Sequence, residues 1–209
     1  GKTTMRVVQI ILEPIGAEPF MLRAQTNLDS HPELCLADLD QALKLVPTNG
    51  RAHWLRARVL ATLGRQPEAL SASAEAVRLE AGNSHYHITR AQILGQAGQY
   101  EKAVEAAKAA LQSGDNRPHV KARALCLLGD LAGTGPQHDY KQALDYHIEA
   151  IKTADPLGVS PHPAIRLAAK EVLVDAHLGA ANDIAWGRWK QKETVVPKWL
   201  SRAAAFAEE

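Results

Sequence analysis

Nine histidines, two cysteines and 23 acidic residues in a 209-residue chain are the groups that could hold a metal ion or move a proton. Their spacing decides whether they can act together. The densest histidine group is His85-Tyr86-His87. Residues two apart on a helix point to different faces, so these two rings do not converge on one ion. Cys35 and Cys126 belong to no Cys-x-x-Cys pair, and both read as buried thiols acting as small apolar residues. Neither a metal site nor a cofactor is expected. Catalysis has no better support. There is no Gly-x-Ser-x-Gly elbow, no phosphate-cradling glycine loop and no His-Glu-x-x-His helix. Asp38 with Asp40, and Glu13 with Glu18, read as ordinary solvated acids. The chain is not expected to be an enzyme.

Charge narrows the partners. Lys plus Arg number 24 against 23 for Asp plus Glu, a net charge of +1. That balance gives no general electrostatic case for nucleic acid or an anionic membrane. No apolar run approaches the ~20 residues that cross a bilayer. A ladder of arginines, Arg23, Arg56 and Arg90, recurs at spacings of 33 and 34. It reads either as a stripe for an acidic ligand or as braces, each guanidinium pairing with an acid of a neighbouring helix while its stem covers apolar surface. The braces are the simpler reading, because each arginine abuts a small residue that packs inward.

The ladder belongs to a longer pattern. Ala57 and Ala91, Leu60 and Leu94, Gly64 and Gly98, Ala69 and Ala103, and Ala76 and Ala110 are all separated by 34 residues. Within each unit a first helix carries apolar residues at i, i+3 and i+7 and ends at a glycine, which accepts a left-handed turn. A second helix follows, with alanines seven apart on one face where two helices approach closely. His53 and His87 are equivalent under the same shift, which favours a packing role for both. Neither helix buries its stripe alone, so the units must stack. The composition, 46% apolar and only 5% aromatic, suits closely packed helices.

This pattern resembles the tetratricopeptide repeat family, with departures at Arg56-Ala57 and Arg90-Ala91, where that family favours Leu-Gly, and at Ser73 and Ala107, where it favours an aromatic residue. The resemblance implies an all-α fold, an α-α superhelix built as a right-handed solenoid of helical hairpins. It implies a protein-interaction module that takes a peptide or a helix in a concave groove lined by the first helices. The peptide-binding candidates on those faces are Arg51, Trp54, Arg58, His85, Gln92 and Arg123, with Thr62, Ile88, Gln96, Met21, Gln25 and Asp130 beside them. Positions that grip chaperone tails in the carboxylate-clamp relatives hold Met21, Gln25, Leu55, His85 and Thr89 here, so such a ligand is not expected. The alternative is a structural spacer or self-association domain of a larger polypeptide.

The period sets the expected organisation. Residues 1–14 form a truncated half-repeat, with Met5 to Leu12 helical because Pro14 repeats Pro47, or extended because of its β-branched content. Residues 15–160 hold repeats at about 17–47, 50–81, 84–115 and 119–155. The last repeat accommodates extra residues in a Gly133–Gln137 loop, since Tyr140 to Ala143 matches Tyr100 to Ala103 at 40 rather than 34. Residues 161–209 form a C-terminal hairpin (164–178 and 181–190) and a capping helix (197–208), with Trp186, Trp189 and Trp199 covering the end of the solenoid. Gly1-Lys-Thr-Thr does not look like a natural start, so the chain is expected to be a piece of a longer protein. A soluble compartment is expected, the cytoplasm ahead of the periplasm or secretion.

Overall fold

The computed structural model describes residues 16–208 except 29, 115 and 116. Met5 to Leu12, for which helix and strand were the two expectations, lies outside the described residues. Among the described residues ten α-helices follow one another: α1 (Glu18–Thr26), α2 (Pro32–Leu45), α3 (Gly50–Thr62), α4 (Gln66–Leu79), α5 (Ser84–Gln96), α6 (Tyr100–Gln112), α7 (Pro118–Thr134), α8 (Tyr140–Ala154), α9 (Pro163–Trp186) and α10 (Lys192–Glu208). A 3-10 turn at Asp155–Leu157 leads from α8 towards α9, and there is no strand among the described residues. Consecutive helices pair as antiparallel hairpins, and each hairpin packs on the next. Contacts of α3 with α5, α5 with α7 and α7 with α9 stack the first helices into an inner layer.

Equivalent residues do equivalent work in the two central units. Asn49 and Asn83 cap α3 and α5, their side chains accepting from the backbone N–H of Ala52 (3.0 Å) and of His85 (3.2 Å), which satisfies a donor left over at each helix start. His53 donates through Nε2 to the Pro47 carbonyl (3.0 Å), and His87 to the Ala81 carbonyl (2.8 Å). Each ring thus ties its helix to the preceding loop rather than facing a metal. Gly64 and Gly98 take φ of 71° and 72°, and the N–H groups of Arg65 and Gln99 reach back to Leu60 O (2.8 Å) and Leu94 O (2.9 Å). That is the left-handed helix stop that glycine permits without strain. Ala57, Ala69, Ala91 and Ala103 are fully buried where the helices of each hairpin meet.

The arginine ladder serves as bracing at the two positions where its partners are seen. Arg23 of α1 holds the buried Asp38 of α2, with one bond of 2.7 Å from Nε. Arg56 of α3 reaches back to Asp40 of α2 (2.8 Å). These bonds link successive helices, and the guanidiniums are spent on acids of the same chain.

From α7 onward the structure departs from the expected layout in three places. The helix expected to break between residues 178 and 181 runs unbroken, so α9 is 24 residues long and a single hairpin, α9–α10, closes the chain. The glycine there, Gly179, does not stop the helix: a Cβ at that position would run into the His147 ring, so glycine is present for the space it leaves. The extra residues of the fourth repeat likewise lengthen a helix more than a loop. α7 has 17 residues against 13 for α3 and α5, and Gly133 lies inside it, where a Cβ would come within 3.0 Å of Asp183 Oδ1. The terminal helix starts at Lys192 rather than at Pro197, because Val195 and Val196 bury against Leu144, Ala180 and Ile184. That burial outweighs the N–H missing at Pro197.

An aromatic contact set also holds α10 to α9. His177, almost wholly buried, lies 5.4 Å from the Trp199 ring and 5.5 Å from the Phe206 ring, and its Nδ1 donates to Leu173 O (2.7 Å). Burial holds the His177 pKa below its usual range, with Arg202 acting the same way and Leu173 and Asp155 opposing. The unfolded chain therefore takes up this proton near pH ~6.5, the folded chain only at lower pH. The stabilisation is complete above ~6.5 and is lost as the pH falls. Urea melts are expected to show lower stability at pH 5.0 than at pH 7.5, and His177→Phe is expected to reduce that difference. At the alanine seam, Ala91→Leu is expected to lower stability by roughly 1–3 kcal/mol in a thermal melt, because added methylenes have no room there.

Candidate functional site

The exposed faces of the first helices form one continuous surface, and side-chain bonds lace it together. Arg51 of α3 donates to Gln25 of α1 (2.6 Å). The Trp54 indole N–H donates to Thr89 Oγ1 of α5 (2.7 Å). Arg123 of α7 donates to Glu171 of α9 (2.8 Å). Arg51, Trp54 and Arg58 share a face of α3, while His85 and Gln92 lie two turns apart on α5. Trp54 is half-buried, its ring 5.8 Å from that of Tyr86 and covered by the Arg58 guanidinium at 5.1 Å. It belongs at once to the packing between repeats and to the surface. Gln92, Gln96 and Thr62 are exposed beside it, whereas Met21 and Ile88, expected on this surface, are buried. Both point into the seam because stacking of the first helices covers their side of α1 and α5.

This surface is graded in charge. Neither α3 nor α5 contains a single Asp or Glu, while α9 presents Glu171 and Asp175 beside Asp130 of α7. Burial pushes the Asp175 carboxyl up, and the neighbouring Asp130 and Glu171 add to this against Arg123. Carboxylates are thus absent from α3 and α5, while Asp130, Glu171 and Asp175 gather around Arg123 where α7 meets α9. Behind the second helices, the longer α7 and its loop leave a cleft of about 300 Å³ lined by Tyr100, Val104, Leu131, Pro136 and Tyr146. Glu101, Lys108 and Asp139 also line it.

Where α7 meets α9, a polar cluster sits under the surface. His147 of α8 is 1% exposed, and its Nδ1 donates to Asp183 Oδ2 of α9 at 2.7 Å, Asp183 being 2% exposed. Its Nε2 faces Asp130 Oδ1 of α7 at 3.3 Å. Cys126, one turn before Asp130, completes a group whose donor atoms all lie within 4.8 Å of one another. Burial alone would pull the imidazole pKa down, but the bonds to Asp130, Asp183 and Cys126 win and push it up to about 11. Burial pushes the Cys126 thiol and the Asp183 carboxyl up. A raised thiol is a poor nucleophile at neutral pH, so this constellation is not arranged as an acyl-transfer triad. No motif marks these residues, which come from three stretches of the chain around 126–130, 147 and 183. The available signal was Gly129 and Gly179, glycines inside long helices, each leaving space that the His147 ring fills.

No protein-family model matches the chain, and no curated protein matches it in sequence. Solved structures do match its shape. MamA residues 41 to the end, from Desulfovibrio magneticus RS-1, is 18% identical, covers 92% of this chain with 95% of its own, and gives a TM-score of 0.65. YrrB, described as a TPR protein with an unusual peptide-binding site, is 18% identical over 92% of this chain and 87% of its own, with a TM-score of 0.56. PilF of Pseudomonas aeruginosa is 16% identical over 92% and 89%, with a TM-score of 0.61. The fold is thus that of a tetratricopeptide-repeat solenoid. No helix among the described residues is long and apolar enough to cross a membrane.

The packing of His147 has a sign that can be measured. In a helix interior Gly→Ala ordinarily stabilises by about 1 kcal/mol. Gly179→Ala is expected to do the reverse, lowering stability by roughly 1–3 kcal/mol in chemical melts, because the methyl group meets a ring that Asp183 holds in place.

Proposed function

We propose that this chain is a protein-interaction module whose concave face holds an extended or helical segment of acidic character. The observation that carries this reading is the shelf made by Trp54, stacked on Tyr86 and covered by Arg58, with Arg51 beside it, on two helices without a carboxylate. An aromatic ring already fixed on both faces loses little conformational freedom on binding, and surrounding arginines select for negative charge. The fold shared with YrrB, whose description includes a peptide-binding site, supports the same reading. His85, Gln92 and Arg123 extend the contact along α5 and α7, with Arg123 engaging a ligand only by sharing Glu171. The clamp positions hold Met21, Leu55 and Thr89, all buried, which argues against a chaperone-tail ligand. Beyond the one Trp54–Tyr86 stack with its arginines, no regular series of basic and aromatic side chains runs along the described face, as single-stranded nucleic acid binding requires.

Self-association is the second reading, and one observation favours it: Trp186 is 69% exposed beside Trp189, Tyr140 and His138 at the end of the solenoid. Sedimentation of the parent and of Trp186→Ala separates the two, since a dimer through that end is lost in the variant.

Display of a random peptide library on the chain is expected to enrich acidic sequences. By calorimetry, Trp54→Ala is expected to weaken a selected peptide by about 2 kcal/mol, with a thermal melt to verify folding. Arg58→Ala is expected to weaken it less and mainly at low salt. Selection of basic peptides, or unchanged affinity in a folded Trp54→Ala chain, would overturn the assignment.

A further inference from the structure

We propose that Cys126, Asp130 and His147 bind a borderline divalent transition ion, Zn2+ foremost, with Asp183 orienting the imidazole. Cys126 and Asp130 stand at i and i+4 on α7 and so share a face, and His147 comes to meet them from α8. An ion entering there would displace the Cys126 thiol proton and the His147 Nε2 proton to solvent, leaving a thiolate, an imidazole nitrogen and a carboxylate oxygen, the donor set that suits Zn2+. Their atoms lie within 4.8 Å of one another.

Three features separate this arrangement from a simple buried ion pair. First, His147 Nδ1 is committed to Asp183 at 2.7 Å between two buried side chains, which turns Nε2 towards Cys126 and Asp130. A carboxylate behind a ligating histidine, fixing its tautomer and plane, is the usual outer partner of such an ion. Second, Nε2 and Asp130 Oδ1 are 3.3 Å apart. That is long for a charge-assisted hydrogen bond, ~2.7–2.9 Å. It is the edge of a tetrahedron whose metal–ligand bonds are about 2.0–2.1 Å. Third, the ring lies in a slot cut by Gly129 of α7 and Gly179 of α9, whose missing side chains leave room around Nε2 and fix the plane of the ring. Asp130, with a side chain 54% exposed, gives an ion access from the concave face and leaves a fourth position for water. An ion there would join α7 and α8 directly and α9 through Asp183, stiffening the last two hairpins.

The test uses the whole chain, reduced and stripped with chelator, and Co2+ as the probe. A thiolate-to-cobalt charge-transfer band in the near ultraviolet is expected, together with the intense visible bands of tetrahedral Co2+. Zn2+ is expected to displace both and to raise the melting temperature. Cys126→Ser is expected to abolish the charge-transfer band, and Cys35→Ala to leave it unchanged. Asp130→Asn changes an exposed residue, so folding is expected to persist while Co2+ affinity falls roughly tenfold or more. Asp183→Asn is expected to weaken binding roughly 10–100-fold. Absence of the charge-transfer band at excess Co2+ would overturn the proposal. So would a band that survives Cys126→Ser or follows Cys35. Binding that vanishes in a His85→Ala/His87→Ala double variant would assign the ion to surface histidines and overturn it as well.

Discussion

Ala57, Ala69, Ala91 and Ala103 have no exposed surface, and the rest of the molecule depends on that. A hairpin of two helices of about 13 residues has too little apolar surface to be stable in isolation, so its stability comes from docking on its neighbours. Docking requires backbones to come close, and alanine is the side chain that allows it without leaving Cα positions unpacked. Once the small residues are fixed at the seam, the larger ones follow: Leu55, Leu60 and Val59 of α3 fill the space towards α2 and α4 in one cluster with Leu39 and Cys35. Polar residues take what is left, as braces such as Arg56–Asp40 or as the exposed concave face. The arginine ladder is therefore a by-product of the same period that places the alanines.

The fourth and fifth hairpins solve the seam problem differently. Where the central units have alanine against alanine, α7 and α9 have glycines facing an imidazole, Gly129 and Gly179 on either side of His147. An ion pair of a buried histidine and Asp183 replaces apolar packing there. Such a pair seldom adds net stability over apolar residues of equal volume. What it does supply is geometry: Asp183 admits one orientation of the ring, and the two glycines admit one plane. A cluster built that way has the order that a binding site requires and that a hydrophobic seam does not need.

The central architecture was legible because it is periodic. The alanines, Gly64 and Gly98, and the pairs Asn49 with Asn83 and His53 with His87 all repeat at 34, and each repeat doubles the weight of a weak local signal. Outside the period the same residue types were misread. Gly133 was placed in a loop, and a helix break was placed between residues 178 and 181. The actual role of Gly133 and Gly179, to make space for Asp183 and His147, depends on residues distant in sequence. The candidate face was legible in outline, with Arg51, Trp54 and Arg58 on one side of α3, but Met21 and Ile88 were placed on it wrongly. Helical periodicity places a residue on an angular sector, and only the neighbouring helix decides whether that sector is covered. The Cys126–Asp130–His147–Asp183 group was invisible for the reason that it is interesting: it joins three helices and follows no motif.

The two features of the concave face bear on one another through charge. An acidic segment seated on the Trp54 shelf over α3 and α5 would, if continued along the groove, reach Asp130, Glu171 and Asp175. There like charges repel, and Arg123 is already tied to Glu171. On the proposed reading, the acidic part of a bound chain would lie at the α3 end, away from these carboxylates. A divalent cation at Asp130 would cancel part of their negative charge, since it adds two positive charges and engages Asp130 directly. The acceptable length of an acidic ligand would then depend on whether the ion is bound, with Arg123 between the two regions. Coupling of that kind needs no movement of the solenoid. It follows from placing a cation site beneath the end of the groove that otherwise repels the ligand.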